Sequence, residues 1–347
     1  MATVKIGING FGRIGRLFTR ALLELQANQN LPVDIVAIND LSDVDMLAHL
    51  FEFDSTHGRA FAHQVLVDKK SNELVLAGDR FKVLSIKDPA ELPWKGLGAD
   101  IVIESTGRFR KRKDLQKHLT AGAKRVILSA PGDADVTLVR GVNMEAYNPD
   151  KHTIISNASC TTNCLAPIAM VLDEAYEIKH GTMTTVHAAT NDQRLLDSQH
   201  DDFRRARSAF QSMVPTSTGA AKAIGEVLPK LKGKMDGIAI RVPTPNVSLL
   251  DLTVRLGRNV TKEEIEELFR QASKRPSLKG ILSYEWRSLV SVDFNHNSHS
   301  AIIDFPSLMV VDGSLVKLLA WYDNEWAYAM RTAELVHQLW DLEPKKS

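Results

Sequence analysis

The residue with the clearest chemistry is Cys160, which lies between Ser159 and Thr161 in the stretch IISNASCTTNCLAP at 154–167. Ile154 and Ile155 end a strand, a polar turn follows, and Cys160 opens a helix that continues through Leu165, Ile168 and Leu172. A thiol at a helix start lies among unpaired N–H groups and at the positive end of the macrodipole, and both favour thiolate over thiol. Ser159 and Thr161 supply further donors. Free cysteines are more often buried and inert, but the polar turn argues for a nucleophile here. The next segment, GTMTTVHAAT at 181–190, alternates with period two, so Met183, Thr185 and His187 share one strand face. A lone histidine on a strand is ordinarily structural. Paired with a helix-start cysteine it becomes a base that stabilises the thiolate and then moves protons on a substrate oxygen.

The elements that must hold this pair begin at the other end of the chain. A short apolar strand at 4–8 runs into NGFGRIGR and then a helix carrying Leu17, Leu22, Leu23 and Leu25. Gly10, Gly12 and Gly15 form Gly-x-Gly-x-x-Gly in a strand–turn–helix setting. The first glycine makes the turn, the second admits a pyrophosphate to the backbone, and the third packs helix on strand. A second strand at 33–38 leads to Asp40, whose carboxylate suits the two hydroxyls of an adenosine ribose and so favours NAD. Strands at 101–104 and 126–128 end in small polar residues, as the ligand edge of a parallel sheet requires. The run 108–113 holds five basic residues in six and reads as a solvated helix start.

Beyond the Cys160 helix the pattern changes. Residues 191–213 are polar, arginine-rich and aperiodic, the mark of a functional or interfacial loop. Pro215 to Gly219 places three hydroxyls ahead of a helix at 220–228, an anion cradle. A strand at 238–242 carries Arg241, and a half-buried strand includes Leu250, Leu252, Val254 and Leu256. Thr261 and Glu264 form a capping box. Val290, Val292 and Phe294 read as one more alternating strand, 315–322 as the last, and about 325–340 as the final helix. The expected architecture is an α/β Rossmann-type doubly wound parallel sheet plus an α+β catalytic domain with a mainly antiparallel sheet. A parallel cofactor-binding half is thus followed by an antiparallel catalytic half.

The 347 residues suffice for two such cores. A net charge of +1 gives no electrostatic footprint for nucleic acid or an acidic membrane. Two cysteines four positions apart make no disulfide framework, and no leader or long apolar span is evident, so a reducing cytoplasm is expected. No metal cluster is expected.

SNASCTTNC, TVHAATNDQR, VPTSTGAAKAIG, AIRVPTPNVS and WYDNEWAYAMR, with INGFGRIGR at the start, resemble the glyceraldehyde-3-phosphate dehydrogenases over nearly the whole chain. The resemblance implies that Cys160 attacks an aldehyde, that His187 is the base, and that inorganic phosphate opens the resulting thioester to an acyl phosphate. It implies that Thr190 and Arg241 hold the substrate's phosphate. Ser159, Thr218 and Gly219 would hold the attacking one, with Arg205 between the two sites and Thr161 also among the substrate- and phosphate-binding residues. Gly10, Phe11, Gly12, Arg13, Ile14 and Asp40 would bind NAD, with Ser105, Thr106 and Ser129 lining the crevice. Asn324 would hold the nicotinamide carboxamide and Tyr328 would pack behind the ring. A homotetramer is implied, with loop 191–213 between subunits, and so is a last helix that returns to the first domain, which makes the cofactor domain 1–159 with 324–347 and the catalytic domain 160–323. Three departures stand out. Ser198 and Gln199 replace the usual Leu-Pro, which implies some NADP use beside NAD. Ala189 stands where an aromatic is usual. Residues 291–296 are closer to the erythrose-4-phosphate dehydrogenases, the alternative activity.

Overall fold

The apolar opening of the chain forms the strand Val4–Asn9, with Val4, Ile6 and Ile8 buried, and around it the first unit is built. The computed structural model describes residues 3–29, 32–60, 64–76 and 78–342. These fall into two compact units. One takes residues up to 138, then 145–158 and 329 onward; the other takes 139–144 and 159–328.

The sheet of the first unit runs, in spatial order, through Val136–Thr137, Ile154–Ser156, Arg125–Leu128, Ile101–Glu104, Val4–Asn9, Val33–Asn39 and Asp79–Leu84, all parallel. Glu73–Leu76 and Val65–Asp68 extend it as antiparallel edge strands. Parallel strands buried on both faces need near-continuous apolar runs, and Ile101, Val102 and Ile103 are such a run. Helix Arg13–Gln29 follows the first strand, Val44–Glu52 the second, and Arg112–Thr120 the strand Ile101–Glu104. The strand order reverses on either side of Val4–Asn9, between Ile101–Glu104 and Val33–Asn39. That switch point is where an open α/β sheet presents a ligand crevice at the strand carboxyl ends. The hairpin region 65–84 had no clear signal in the sequence, because its strands are short and half exposed.

The second unit has a seven-stranded sheet, mainly antiparallel among the described residues: Val214–Ser217, Met235–Val242, Ile178–Ala188, Ser248–Leu256, Leu315–Tyr322, Ala301–Val311 and Leu282–Glu285. Two pairings are parallel, Ile178–Ala188 with Met235–Val242 and Leu282–Glu285 with Ala301–Val311. The alternation of Ser248–Leu256 is plain in its burial, with Leu250, Leu252 and Val254 inside. Helix Cys160–Tyr176 packs into this unit with Leu165, Ile168 and Leu172 buried, and Lys262–Ala272 begins with the expected Thr261–Glu264 capping box. Two of the sequence expectations shift. Val290, Val292 and Phe294 do not form a strand: Ser291–Phe294 is a 3₁₀ turn in which Phe294 alone is buried, and the strand lies further on at Ala301–Val311. Three apolar residues at period two are too few to separate a strand from a turn. The final helix is Trp326–Leu342.

Candidate active site

Ser159 caps the helix Cys160–Tyr176: its backbone is extended and its Oγ accepts from the Thr162 N–H at 3.0 Å. That cap places Cys160 at the first helical position, beside N–H groups that have no partner within the helix. Ala158, one residue earlier, has φ +54°, the left-handed region that an alanine seldom adopts. The reversal of the chain into the helix thus carries some strain at the residue adjoining the cap.

His187 comes from the strand Ile178–Ala188, and its Nε2 stands 3.5 Å from Cys160 Sγ. Its register partner on the neighbouring parallel strand is Arg241. Arg241 Nη1 lies 2.7 Å from His187 Nδ1 and 3.2 Å from the Ala188 carbonyl, while Nδ1 itself is 2.7 Å from that carbonyl. Tyr322 backs the group. Its hydroxyl meets Thr161 Oγ1 at 2.9 Å and Thr185 Oγ1 at 2.7 Å, and its ring stands edge-on to His187. Sequence reasoning missed Tyr322, which looked like the inward end of an alternating strand. Only the pairing of Ser248–Leu256 with Leu315–Tyr322 brings it under the cysteine helix.

The electrostatics differ from the expectation for a bare helix start. Burial pushes the Cys160 thiol up, and the Arg241 charge with the Thr161 hydroxyl and helix-start N–H groups pulls it only part of the way back. Burial, reinforced by Arg241, lowers His187 to about 3. Both shifts favour the neutral thiol and the neutral imidazole. Cys164, one turn on, is fully buried, and burial raises its thiol well above the ordinary value.

The expected anion-binding residues belong to the second unit. Ala189 N–H donates to the Thr244 carbonyl, so the chain after His187 runs beside the chain after Arg241, and Thr190 follows with its N–H on Gln193 Oε1. Thr218 Oγ1 accepts from the Ala220 N–H, and Gly219 precedes the helix Ala220–Val227 without a side-chain cap. A Cβ on Gly219 would meet nothing within 4 Å, so the backbone there is open. Arg205 is already engaged. It pairs with Asp192 at 2.5 Å and donates to Thr216 Oγ1 at 2.9 Å. An arriving anion must compete with those partners. Asn324 is buried with its Oδ1 accepting from Ser248 Oγ at 2.7 Å, and Tyr328 is buried beyond it.

Apart from Asn324 and Tyr328, which belong to the second unit, the expected cofactor residues lie at the strand ends of the first. Gly10 has φ +94°, and a Cβ there would lie 2.6 Å from Thr106 N. A Cβ on Gly12 would meet nothing within 4 Å, so the turn is open above it, which fits a pyrophosphate resting on the start of Arg13–Gln29. Asp40 is fixed by two N–H groups, Phe11 to Oδ2 at 2.8 Å and Ser42 to Oδ1 at 3.0 Å. The Phe11 ring is buried against Phe51, and the Arg13 guanidinium pairs with Asp54 at 2.7 Å. Burial would raise Asp54, but the His57 and Thr56 N–H groups and Arg13 outweigh it and lower the carboxyl to about 2. Phe11, Arg13 and Ile14 are thus placed to offer backbone, with the first two side chains committed elsewhere. The Ser105 and Ser129 hydroxyls donate to the Gly10 and Glu104 carbonyls. Among the described residues no cluster of acidic, histidine or cysteine side chains could hold a metal, and no helix is long and apolar enough to cross a membrane.

Comparison with known proteins agrees over both units. The profile described as "Glyceraldehyde 3-phosphate dehydrogenase, NAD binding domain" matches residues 4–112, and that described as "Glyceraldehyde 3-phosphate dehydrogenase, C-terminal domain" matches 159–324. Glyceraldehyde-3-phosphate dehydrogenase 1 of Bacillus subtilis is 54% identical over 96% of this chain and 97% of its own length. The enzyme of Geobacillus stearothermophilus is 53% identical over 96% and 97%. That of Pseudomonas aeruginosa is 53% identical over 95% and 96%.

Proposed function

The chain belongs to the glyceraldehyde-3-phosphate dehydrogenase family, and from that premise we propose that it oxidises glyceraldehyde 3-phosphate through a thioester on Cys160, with inorganic phosphate as acceptor. NAD is the cofactor, and when bound it supplies the hydride acceptor. The observation that carries the assignment is the 3.5 Å approach of Cys160 Sγ to His187 Nε2 at a helix start.

The resting neutral pair suits a base that acts during attack. His187 Nδ1 lies 2.7 Å from both Arg241 Nη1 and the Ala188 carbonyl. A guanidinium can only donate, so with Arg241 turned to the substrate's phosphate the carbonyl holds the imidazole proton on Nδ1, and Nε2 is open to take the thiol proton. Sulfur then adds to the aldehyde carbon while His187 hands the thiol proton to the carbonyl oxygen. His187 takes that hydroxyl proton back as the hemithioacetal loses its hydride and becomes the thioester, which phosphate opens by displacing the Cys160 sulfur. The Cys160 N–H and neighbouring helix-start donors suit the oxygen that gains charge. Arginine serves the phosphate because its planar fork pairs two oxygens.

In this reading Thr190 joins Arg241 at the substrate phosphate, and Ser159, Thr161, Thr218 and Gly219 serve the attacking phosphate. Arg205 is released toward them from Asp192. Gly10, Phe11, Gly12, Arg13, Ile14 and Asp40, with Ser105, Thr106 and Ser129, hold NAD in the domain 1–159 with 324–347. Asn324 and Tyr328 take the nicotinamide end, and 160–323 is the catalytic domain. The enzyme works as a cytoplasmic homotetramer, with NADP a weaker second cofactor. The erythrose-4-phosphate alternative draws only on residues 291–296, and the relatives named above are glyceraldehyde-3-phosphate enzymes. The test is turnover with each aldehyde, with and without phosphate. Efficient phosphate-independent oxidation of erythrose 4-phosphate, with none of glyceraldehyde 3-phosphate, overturns the proposal.

A further inference from the structure

Under the strand ends of the first unit lies a row of buried polar side chains that the chemistry does not use. The last residues of three adjacent parallel strands stand in register: Asn39 beside Asn9, and Asn9 beside Glu104. All three are buried, Glu104 to 1% exposure. Asn39 Nδ2 donates to Asn9 Oδ1 at 2.7 Å, and Asn9 Nδ2 donates to Glu104 Oε2 at 2.6 Å. Glu104 Oε1 accepts from both the N–H and the hydroxyl of Thr106, at 2.9 and 2.5 Å. His118, fully buried on the helix Arg112–Thr120, completes the group. Its Nδ1 accepts from the Trp94 indole N–H at 3.1 Å. An indole can only donate, so the ring proton sits on Nε2 and points at Glu104 Oε2, 3.0 Å away. Every one of these partners presents a hydrogen to Glu104, and the carboxyl acts as acceptor only.

A buried carboxylate is costly to keep without a strong cation, and here its ionisable partner is a histidine. What the carboxylate fixes accounts for its presence. The Thr106 backbone is the surface on which Gly10 turns, close enough that a Cβ would collide. Asn39 precedes Asp40, whose carboxylate accepts from the Phe11 N–H inside the glycine turn. We infer that Glu104, supported by Asn9 and His118, is a positioning residue for the cofactor: one carboxylate sets the glycine turn, the Asp40 strand end and Thr106 relative to one another. The inference rests on the dinucleotide reading of this sheet edge.

Glu104→Gln keeps the shape but brings an amide N–H against arriving donors whichever way the amide lies. The experiment is isothermal titration of NAD into the full-length protein, beside thermal melting and iodoacetamide labelling of Cys160. The NAD dissociation constant should rise about ten- to a hundredfold, as for one lost charge-assisted hydrogen bond. Cys160 labelling and kcat at saturating NAD should hardly move, since the loss is confined to binding. If Glu104→Gln does not fold, His118→Gln and His118→Leu replace it: the first keeps a donor toward Glu104 and should retain NAD affinity, and the second should lose it severalfold. A folded Glu104→Gln that binds NAD like the parent overturns the inference, as does equal weakening in both His118 variants. A parent protein that takes up no NAD overturns the dinucleotide reading itself.

Discussion

At the scale of single residues, exposure separates two cysteines that the sequence sets one helical turn apart. Cys160 is partly exposed beside His187, whereas Cys164 is fully buried with its thiol pushed well up. Iodoacetate should therefore modify Cys160 alone on a practical timescale, and Cys160→Ser should be inactive; peptide mapping of the labelled protein checks the first. Arg241 contributes twice. Its charge lowers the Cys160 thiol, so Arg241→Leu should move the pH midpoint of Cys160 labelling upward. The same variant should lose phosphorylated aldehyde more than free glyceraldehyde, by about 1.5–3 kcal/mol for a charge-assisted contact. Equal losses for both aldehydes would make Arg241 structural. His187→Asn should slow turnover by roughly 10²–10⁴-fold. It should also alter acid stability. Folding holds His187 near 3 against an ordinary 6.5, so the unfolded chain takes up the proton first. Stability present above pH 6.5 is lost as pH falls toward 3, and denaturation across that window should be shallower in the Asn variant.

At the scale of elements, two starts of helices decide two sites, and both follow from local chemistry. Ser159→Ala removes the cap of the Cys160 helix and should cost about 1 kcal/mol of stability. Ala158→Val puts a β-branched side chain in the left-handed region and should cost more; melting temperatures rank the pair. The glycine turn permits a cleaner separation of fold from function. A side chain on Gly12 meets nothing, so Gly12→Ala should melt like the parent yet lose NAD affinity, because the added methyl enters the space the pyrophosphate needs. Calorimetric NAD titration beside a melting curve tests this. Loss of both together would mean that the turn itself depends on Gly12.

At the scale of the whole molecule, the loop 191–213 is where the single chain looks incomplete. Leu196, Phe203, Phe210 and Met213 are at least 65% exposed, Phe203 to 90%. Large apolar side chains so placed mark an association surface, in keeping with the proposed tetramer. Phe203→Asp should shift the mass measured by light scattering toward smaller species, and an unchanged mass would remove the loop from the interface. In the proposed reading the same loop bears on cofactor choice. Both oxygens of Asp40 are engaged by N–H groups, so its carboxylate cannot turn away from an added 2′-phosphate as a free side chain could. That strengthens the preference for NAD and makes Ser198 and Gln199 the residues that must admit NADP if it is used. Replacing them by Leu-Pro should abolish residual NADP turnover and spare NAD. An unchanged NADP to NAD ratio would leave the choice to Asp40 alone.

The dinucleotide fingerprint, the helix-start cysteine, the histidine strand and the two sheet types were legible in the chain alone, because each is written in local periodicity, turn chemistry or a short motif. Residues 4–15 and 154–167 needed no partner to be legible. The Ser291–Phe294 turn was misread because three apolar residues at period two carry too little information about their surroundings. The rest depends on strands distant in sequence meeting in register. Pairing His187 with Arg241 sets the imidazole's partner, and burial of the whole group favours the neutral thiol and the neutral ring over the thiolate expected at a bare helix start. Pairing Asn39, Asn9 and Glu104 makes a single network from three strand ends that looked independent. Desolvation and cross-strand contact are properties of the assembled sheet, and no stretch of the chain carries them alone.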